Sequence, residues 1–349
     1  MTSGVIKKIF NQVSSLNIET KFSCKPFILP KPNNRILLYF SYLFFNIYKN
    51  ITITQNIYDF IYIRRIIPVN YSFIKLLKII KMKNNKCKII YEIPTYPYDM
   101  EHYTVILKTL LIIDKIFRVF LKKYINKIIT FTNDDYIFGV PTIKIKNGIC
   151  CSDIQIRTVQ TISQYLNLIV VAQFAPWHGY DRLINGLNNY YENGSSEKVY
   201  IHFIGNGQEL NKYKEMVHKY NLSEYIIFHG PLFGKQLTDM FNNSDIAICG
   251  LGGHRKSIYL SSELKSREYL ARGIPMISST KIDILPDDFI YCLYVPSDDS
   301  PININNVICY YQDLISKHTL QEITTNIREF AENNCDISKT MKPVIEYLI

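Results

Sequence analysis

Short apolar runs alternate along the chain with segments of helical spacing, and this alternation restricts the possible folds more than any other feature. In the first part of the chain the runs occupy residues 57–63, 87–92, 127–131 and 142–145. In the second part they occupy residues 168–172, 199–204, 225–231, 244–250 and 275–278. Short buried strands joined by helices predict a parallel, doubly wound α/β sheet, which binds ligands beyond the carboxyl ends of its strands.

The length of 349 residues is sufficient for two domains with separate cores. A hydrophobic share of 47% excludes a largely disordered chain. A polar stretch at residues 152–164 interrupts the pattern of strands and helices and indicates the domain boundary. We therefore expect a first domain over residues 1–157, a second over residues 158–328, and a final helical segment over residues 329–349.

The positive charge is concentrated in the first part of the chain. Residues 1–150 hold 23 lysines and arginines against 8 acidic residues, a net charge of +15, whereas residues 151–349 hold 17 against 22, a net charge of −5. Basic segments interleaved with Tyr, Phe and Ile suit an anionic membrane surface or nucleic acid, and solvated lysines give the same pattern. The asymmetry over a whole domain favours a membrane surface over nucleic acid.

The cysteines and the apolar runs bear on the cellular location. Eight cysteines occur without a C-x-x-C pair, which predicts buried thiols in a reducing compartment and no zinc site. No apolar signal segment follows Met1, and the run at residues 36–48 is too short to span a membrane. We expect a cytoplasmic protein, and a peripheral position on the inner face of the cell membrane stays open.

Residues 261–277 have the pattern of a capped helix followed by a strand. Ser261 and Ser262 suit the amino-terminal cap, and Gly273 suits the end of the helix. Helical spacing places Ser261, Lys265, Glu268 and Tyr269 on one face.

This face predicts a binding site for a sugar nucleotide. The free N–H groups at a helix amino end attract an anion such as a diphosphate, and Lys265 adds positive charge beside them. Glu268, one turn further along, offers acceptors to sugar hydroxyls. The alternative is an ordinary amphipathic helix with an exposed Lys–Glu pair that contributes almost nothing to stability.

The segment from Glu268 to Pro275, with its Ala-x-Gly-x-Pro ending, resembles the signature of retaining glycosyltransferases of family 4. The resemblance implies the GT-B fold, in which two Rossmann-like domains face each other across a cleft and the last helix crosses back. It also implies that Glu268 binds the donor ribose. The family has a glutamate where this chain has Leu260, and whether Glu263 replaces it stays open. The first strand of the family is expected to be missing, since no such run precedes Gly4.

Further donor-binding residues are predicted in the loops of the second domain. His178 and Gly179 occupy the place of a Lys-Gly pair in the family, so His178 is expected to reach the diphosphate. Arg182 is a second phosphate candidate, with an ordinary surface arginine as the alternative. The predicted catalytic residues are Lys265, Glu268 and His178. The predicted donor-binding residues are Gly179, Arg182, Gly205, Gly253, Ser261, Ser262, Glu263, Lys265 and Glu268.

The loop that follows the run at residues 87–92 is the predicted acceptor side. Its prolines stiffen the backbone, and its acids and tyrosines pair with hydroxyl groups. It also resembles a loop of polysaccharide-building members of the family, although a rigid turn with polar side chains is an equal alternative. The candidate residues are Glu92, Tyr96, Tyr98, Asp99 and Glu101.

These patterns predict a glycosyltransferase that moves a sugar from a nucleotide-diphosphate sugar to a glycan or a lipid-linked acceptor. The resemblance implies retention of the anomeric configuration and a role in polysaccharide, O-antigen or capsule synthesis. The sequence lacks an Asp-x-Asp motif, so neither a metal nor another cofactor is expected. A sugar-nucleotide epimerase of the same fold and a non-catalytic glycan-binding or partner-binding protein are the alternatives.

Overall fold

The computed structural model of the chain describes residues 4–27, 56–66, 68–99, 105–158 and 164–349. It divides into two compact units, Met1–Ile145 with Met341–Ile349, and Lys146–Thr340. The apolar run at residues 36–48 and the predicted acceptor residue Glu101 lie outside the described residues.

The limits of the units differ from the limits expected at residues 157 and 329. Ile145 still belongs to the first sheet, because its N–H donates to the carbonyl of Thr130 (2.9 Å), whereas Ile149 pairs with Asp336 of the second unit. The helix Leu320–Asn334 packs against the helix Leu264–Arg272 of the second unit. Of the carboxyl-terminal helices, only Lys342–Leu348 therefore belongs to the first unit.

The first unit contains a sheet of five strands in the order β1-β2-β3-β5-β4. All neighbouring strands are parallel except the pair of β4 and β5. The strands are β1 (Phe60–Arg64), β2 (Lys88–Ile93), β3 (Lys127–Thr130), β4 (Tyr136–Ile137) and β5 (Val140–Lys144). The helices described in this unit, besides Lys342–Leu348, are Gly4–Glu19, Tyr71–Lys83 and Val105–Arg118.

The second unit contains a parallel sheet of six strands in the order β13-β11-β9-β6-β7-β8. Its strands are β6 (Leu166–Phe174), β7 (Val199–Gly207), β8 (Ile226–Gly230), β9 (Ile246–Ile248), β11 (Met276–Ser278) and β13 (Cys292–Tyr294). A separate parallel pair joins β10 (Leu260–Ser261) to β12 (Lys281–Ile282). The helices are Tyr180–Glu192, Leu210–Lys219, Gly234–Asn242, Leu264–Arg272, Ile304–Lys317, Leu320–Asn334 and Ile337–Thr340.

The predicted α/β class is confirmed. Each apolar run that was predicted to be a strand contains one in the structure. Both faces of the second sheet are buried, which explains the continuous apolar runs. In β6, Leu168 and Val170 pack with Leu183 on one face, while Ile169 packs with Leu270 on the other. Among the described residues no helix is both long enough and apolar enough to cross a membrane.

Candidate functional site

The candidate site lies in the second unit, at the carboxyl ends of the neighbouring strands β6 and β9. Strand β6 leads into the short 3-10 helix Pro176–His178, and β9 leads into a loop that contains the 3-10 helix Gly253–Lys256. The carboxyl ends of parallel strands meet at one edge of a sheet, so these loops are brought together. The helix Leu264–Arg272, called the signature helix below, follows the second loop.

Glycines allow the two loops to contact each other through their backbones. Gly179 has a φ of 66°, and a Cβ atom there would lie 2.6 Å from the amide nitrogen of Gly252. The N–H of Leu251 donates to the carbonyl of His178 at 2.7 Å. A Cβ atom on Gly253 would likewise lie 2.3 Å from Thr280 Oγ1. The structure shows that Gly179 and Gly253 are required for packing, and their binding of the donor stays a prediction.

Gly205 is placed by packing within the sheet. It lies opposite Ala172 in the pairing of β6 with β7, and a Cβ atom on it would lie 1.9 Å from the carbonyl oxygen of Ala172. The backbones approach too closely for any side chain at this position. The glycine is therefore explained without a ligand.

The signature helix begins one or two residues later than the serines suggested. Its amino-terminal cap is Glu263, with no side-chain hydrogen bond, and its carboxyl-terminal cap is Gly273 with a φ of 73°. Ser261 belongs to β10, and the Ser262 carbonyl accepts a hydrogen bond from Asn147 Nδ2 at 2.6 Å. The expectation that a serine caps this helix is wrong, because strand pairing and Asn147 hold both serines outside it.

The four residues of the predicted polar face do not lie together on the signature helix. Ser261 is not helical, and Tyr269 is buried in the core, where its hydroxyl donates to the carbonyl of Ile248 at 3.3 Å. Glu268 remains partly exposed, and its Oε1 lies 3.2 Å from Nη2 of Arg272. Only Lys265 and Glu268 therefore keep polar groups on this face.

Lys265 is a nearly buried cation at the start of the signature helix, with 17% of its side chain exposed. Its Nζ donates to the hydroxyl of Tyr180 at 3.1 Å and lies 3.8 Å from Glu263 Oε2. Burial alone would lower the pKa of Lys265, but Tyr180 and Glu263 beside it hold that pKa above its ordinary value. Lys265 is therefore charged at neutral pH.

Glu263 links Lys265 to the loop after β9. Its Oε1 accepts a long hydrogen bond from the N–H of Gly250 at 3.5 Å, while its other oxygen is directed to Lys265. Leu260, the residue in place of the first family glutamate, is exposed in β10. The carboxylate of Glu263 is thus held by Gly250 and Lys265, and it does not lie at the position of Leu260.

His178 cannot replace a lysine as a charged group. Burial, together with the positive charges of Lys265 and Lys256, lowers its pKa to about 3. Its Nδ1 accepts a hydrogen bond from the N–H of Ala175 at 3.3 Å, which leaves the ring proton on Nε2. The side chain therefore carries no positive charge at neutral pH.

Arg182 is a buried structural residue, which corrects its assignment to the donor site. Only 1% of its side chain is exposed. Its guanidinium donates to the carbonyls of Ser300 and Pro296, each at 2.8 Å, and to the carbonyl of Leu251. Since each of its three nitrogens already donates to the protein, we leave Arg182 out of the proposed site.

Two further arginines hold the site together through ion pairs that were not predicted. Arg255 forms a bidentate pair with Asp181, with both distances 2.8 Å, and so ties the loop after β9 to the loop after β6. The fully buried Arg267 pairs with Asp283 and donates to the carbonyl of Asn147 at 3.2 Å. No sequence signal marks these pairs, because their partners are distant along the chain.

The predicted acceptor residues of the first unit are largely engaged within the fold. Glu92 is fully buried among polar partners, and the buried hydroxyl of Tyr98 donates to Asp114 at 2.7 Å. Asp99 pairs with Arg118 at 2.9 Å. Glu92 is a structural residue of β2, and the contacts of Tyr98 and Asp99 favour the rigid-turn alternative. The role of Tyr96, whose ring packs against Phe138, stays a prediction.

The comparisons with known proteins bear on the fold and on residues 154–287. Residues 154–287 match the family model described as Glycosyl transferases group 1. No curated protein sequence matches the chain. A solved glycosyltransferase from Rickettsia africae ESF-5 is similar, with 13% identity, a TM-score of 0.59, and coverage of 93% of this chain and 83% of that chain.

Two other solved structures are similar to the same extent. Anabaena Alr3699/HepE in complex with UDP has 14% identity and a TM-score of 0.59, with coverage of 85% of this chain and 79% of that chain. Sucrose-phosphate synthase from Thermosynechococcus elongatus has 13% identity and a TM-score of 0.56, with coverage of 83% and 74%. The GT-B fold class is confirmed, and the family match over residues 154–287 contains every predicted donor-binding residue.

Proposed function

We propose that the protein is a glycosyltransferase that uses a nucleotide-diphosphate sugar. The proposal proceeds from the match of residues 154–287 to the glycosyl transferases group 1 model. The observation that carries the proposal is the nearly buried ammonium of Lys265 at the start of the signature helix. The UDP complex of the similar Anabaena protein supports the same donor chemistry and suggests UDP as the first nucleotide to test.

Lys265 is the proposed ligand of the diphosphate. An ammonium group has three N–H donors, and the described contacts of Lys265 include one hydrogen bond, to Tyr180, and a carboxylate at 3.8 Å. That carboxylate is farther away than the 2.7–2.9 Å that is roughly typical of a charge-assisted hydrogen bond. Lys265 can therefore donate to a phosphate oxygen without losing its place in the fold.

The same residues suit the departure of a nucleoside diphosphate. Negative charge grows on the leaving diphosphate in the transition state, and a preorganised cation at a helix amino end stabilises it. The neutral ring N–H of His178 is a second proposed donor. Because Lys265 and the helix end supply the positive charge, the proposal includes neither a metal nor another cofactor.

The finer assignments follow from the resemblance and are proposals as well. Glu268 is proposed to accept hydrogen bonds from the ribose, since it is partly exposed one turn after Lys265. The reaction is proposed to retain the anomeric configuration, as in family 4. The proposed acceptor is a glycan or a lipid-linked glycan of polysaccharide, O-antigen or capsule synthesis, at the cytoplasmic side of the cell membrane.

Leu260 favours a second candidate, a protein that binds a sugar nucleotide or glycan without transferring the sugar. The family has a carboxylate at this position, and this chain places an exposed leucine there. The two candidates share the diphosphate site and differ in turnover. Product formation with an acceptor therefore separates them.

The proposal is tested first by calorimetric titration of the full chain with UDP and the other nucleoside diphosphates. Binding of at least one of them, weakened roughly 10- to 100-fold in Lys265→Met and unchanged in Lys281→Met, is expected. Lys281 is a matched control, since it is an exposed lysine of the same unit, paired with Asp287. Absence of binding by every nucleotide would overturn the proposal.

Incubation with the tightest-binding nucleotide sugar then identifies the reaction. Transfer to a glycan or lipid-linked acceptor, with slow hydrolysis in its absence, is expected of a glycosyltransferase. Conversion of the donor to its epimer without acceptor would instead indicate the epimerase. Nucleotide binding with no product from any acceptor would support the binding protein.

A further inference from the structure

The helix Val105–Arg118 of the first unit is apolar on its exposed side as well as on its buried side. Leu110 is buried, whereas 60% of Ile112 and 56% of Ile116 are exposed. Clustered apolar side chains on a protein surface mark a site of interaction with a partner or a membrane. The exposed side therefore calls for a partner outside the described residues.

The exposed apolar residues lie along one side of the helix, with the exposed Lys108 between Val105 and Ile112. Val105, Ile112 and Ile116 recur at helical spacing along the same side, and the exposed Val119 and Phe120 continue it past the end of the helix. We call these five residues the apolar stripe. The ring of Phe117, which contacts the ring of Phe120 at 6.4 Å, also meets the exposed Tyr71 at 6.5 Å. Tyr71 has the amphipathic character that suits a boundary between lipid and water.

A row of lysines follows one side of the apolar stripe. Lys108, Lys115 and Lys122 are exposed and are spaced seven residues apart, and we call them the basic row. The acidic residue within the helix, Asp114, is buried and accepts hydrogen bonds from the N–H of Val69 (2.8 Å) and from Tyr98 (2.7 Å). Lys115 lies 3.1 Å from Asp99. The exposed charge beside the stripe is thus mainly positive.

We propose that the apolar stripe and the basic row together bind an anionic membrane surface. Apolar side chains that enter the boundary of the acyl chains, next to lysines that meet anionic headgroups, give this combination its affinity. A second copy of the chain is a poorer partner, since a symmetric contact would bring the basic rows of two copies together. The inference is independent of the transferase activity.

The geometry fits binding on the surface of the membrane and not passage through it. The helix has 14 residues. At about 1.5 Å per residue it is roughly 21 Å long, against a hydrocarbon core of about 30 Å. The stripe therefore lies along the membrane plane, with the basic row at the level of the headgroups.

Flotation of the full chain with vesicles tests the proposal without donor or acceptor. Binding to equimolar phosphatidylglycerol and phosphatidylcholine is expected, with weaker binding to phosphatidylcholine alone and at high salt. The double variant Ile112→Glu, Ile116→Glu is expected to lose roughly tenfold or more of the partitioning, and Lys108→Glu, Lys122→Glu is expected to bind with less dependence on salt.

The matched control carries two exposed apolar residues of the second unit, as Phe233→Glu, Ile290→Glu. It is expected to bind vesicles like the unchanged protein. Nucleotide titration and thermal melting report separately whether each variant is folded. Vesicle binding that is absent from the unchanged protein, or equal in the stripe variant, would overturn the proposal. The proposal would also be overturned if the unchanged protein did not bind vesicles and formed an oligomer in ultracentrifugation that the stripe variant did not form.

Discussion

Each of the two units holds a lysine–glutamate pair near the carboxyl end of its sheet, and the two pairs differ in how fully their groups are satisfied. In the first unit Lys8 Nζ lies 3.2 Å from Glu92 Oε1, and both side chains are buried. In the second unit Lys265 Nζ lies 3.8 Å from Glu263 Oε2, and both side chains keep some exposure. The pairs have the same chemistry and different surroundings.

The carboxylate of Glu92 is saturated by its neighbours. Besides Lys8, it accepts hydrogen bonds from Arg64 at 2.8 Å, Tyr62 at 2.5 Å and Gln12 at 2.9 Å. Burial acts to raise the pKa of Glu92, but Lys8 and Arg64 outweigh it and hold that pKa below its ordinary value. A charge with this many partners stabilises the fold and has little capacity left for a ligand.

Lys265 differs because its partners leave it capacity to bind. It makes one hydrogen bond to a neutral hydroxyl and one long ion pair, and its pKa is raised, whereas burial lowers the pKa of Lys8. The difference shows that burial of a charge does not by itself indicate a functional site. What separates the two pairs is the carboxylate, which has four donors in Glu92 and only one long hydrogen bond and one long ion pair in Glu263.

The largest effect is expected from Glu92→Ala. The substitution removes the carboxylate that pairs with Lys8 and Arg64, and it leaves the ammonium of Lys8 buried without this partner. Breaking a buried ion pair in this way costs about 3–5 kcal/mol of folding free energy. Urea unfolding measures the loss. A change below about 1 kcal/mol would mean that the pair is not structural and would remove the contrast with Lys265.

A second loss of stability is expected from Arg182→Met, which tests whether a saturated arginine of the second unit behaves like Glu92. The carbonyls of Leu251, Pro296 and Ser300 lose their donor. We expect a loss of about 3 kcal/mol, since each unsatisfied buried group costs about 1–3 kcal/mol. Thermal melting measures it. Weakened nucleotide binding with unchanged stability would return Arg182 to the donor site.

A smaller effect is expected from Glu268→Gln, which keeps the shape of the side chain and removes its charge. Loss of a hydrogen bond from a ribose hydroxyl to a carboxylate is expected to weaken UDP binding by about 1.5 kcal/mol, with stability unchanged. Calorimetry with UDP and with 2′-deoxy-UDP measures the effect. A ribose contact predicts that the variant no longer distinguishes the two nucleotides, and preserved discrimination would contradict it.

The smallest effect is expected from the titration of His178. Since its pKa is about 3, the imidazole is neutral throughout the range of about pH 6 to 8. The ratio of UDP affinities between the unchanged protein and His178→Gln is therefore expected to be constant over that range. A ratio that rises as the pH falls through about 6.5 would show that His178 carries the charge of the missing lysine.

The sequence predicted the strands well because apolar runs are a local signal. The runs at residues 168–172 and 199–204 correspond to β6 and β7, and Gly273 ends the signature helix as expected. The amino-terminal end of that helix was predicted less well. Strand pairing of Ser261 with Ile282 outweighs its intrinsic preference for a cap position.

The roles of charged residues could not be predicted to the same extent, because they depend on partners far along the chain. Arg182 and Glu92 have the residue types of a ligand site, but contacts with Ser300 and with Lys8 make them structural. Lys265 lies in the first turn of the signature helix, and its role in binding the diphosphate stays a prediction. The Tyr180 contact that places its ammonium was not foreseen.

The central claim, that Lys265 binds the diphosphate, is tested most directly by comparing UDP with uridine in the unchanged protein and in Lys265→Met. The affinity gained from the diphosphate is the ratio of the two dissociation constants, measured by calorimetry. We predict that Lys265→Met loses roughly 10- to 100-fold of this ratio while uridine binds as before. An unchanged ratio in Lys265→Met would contradict the claim.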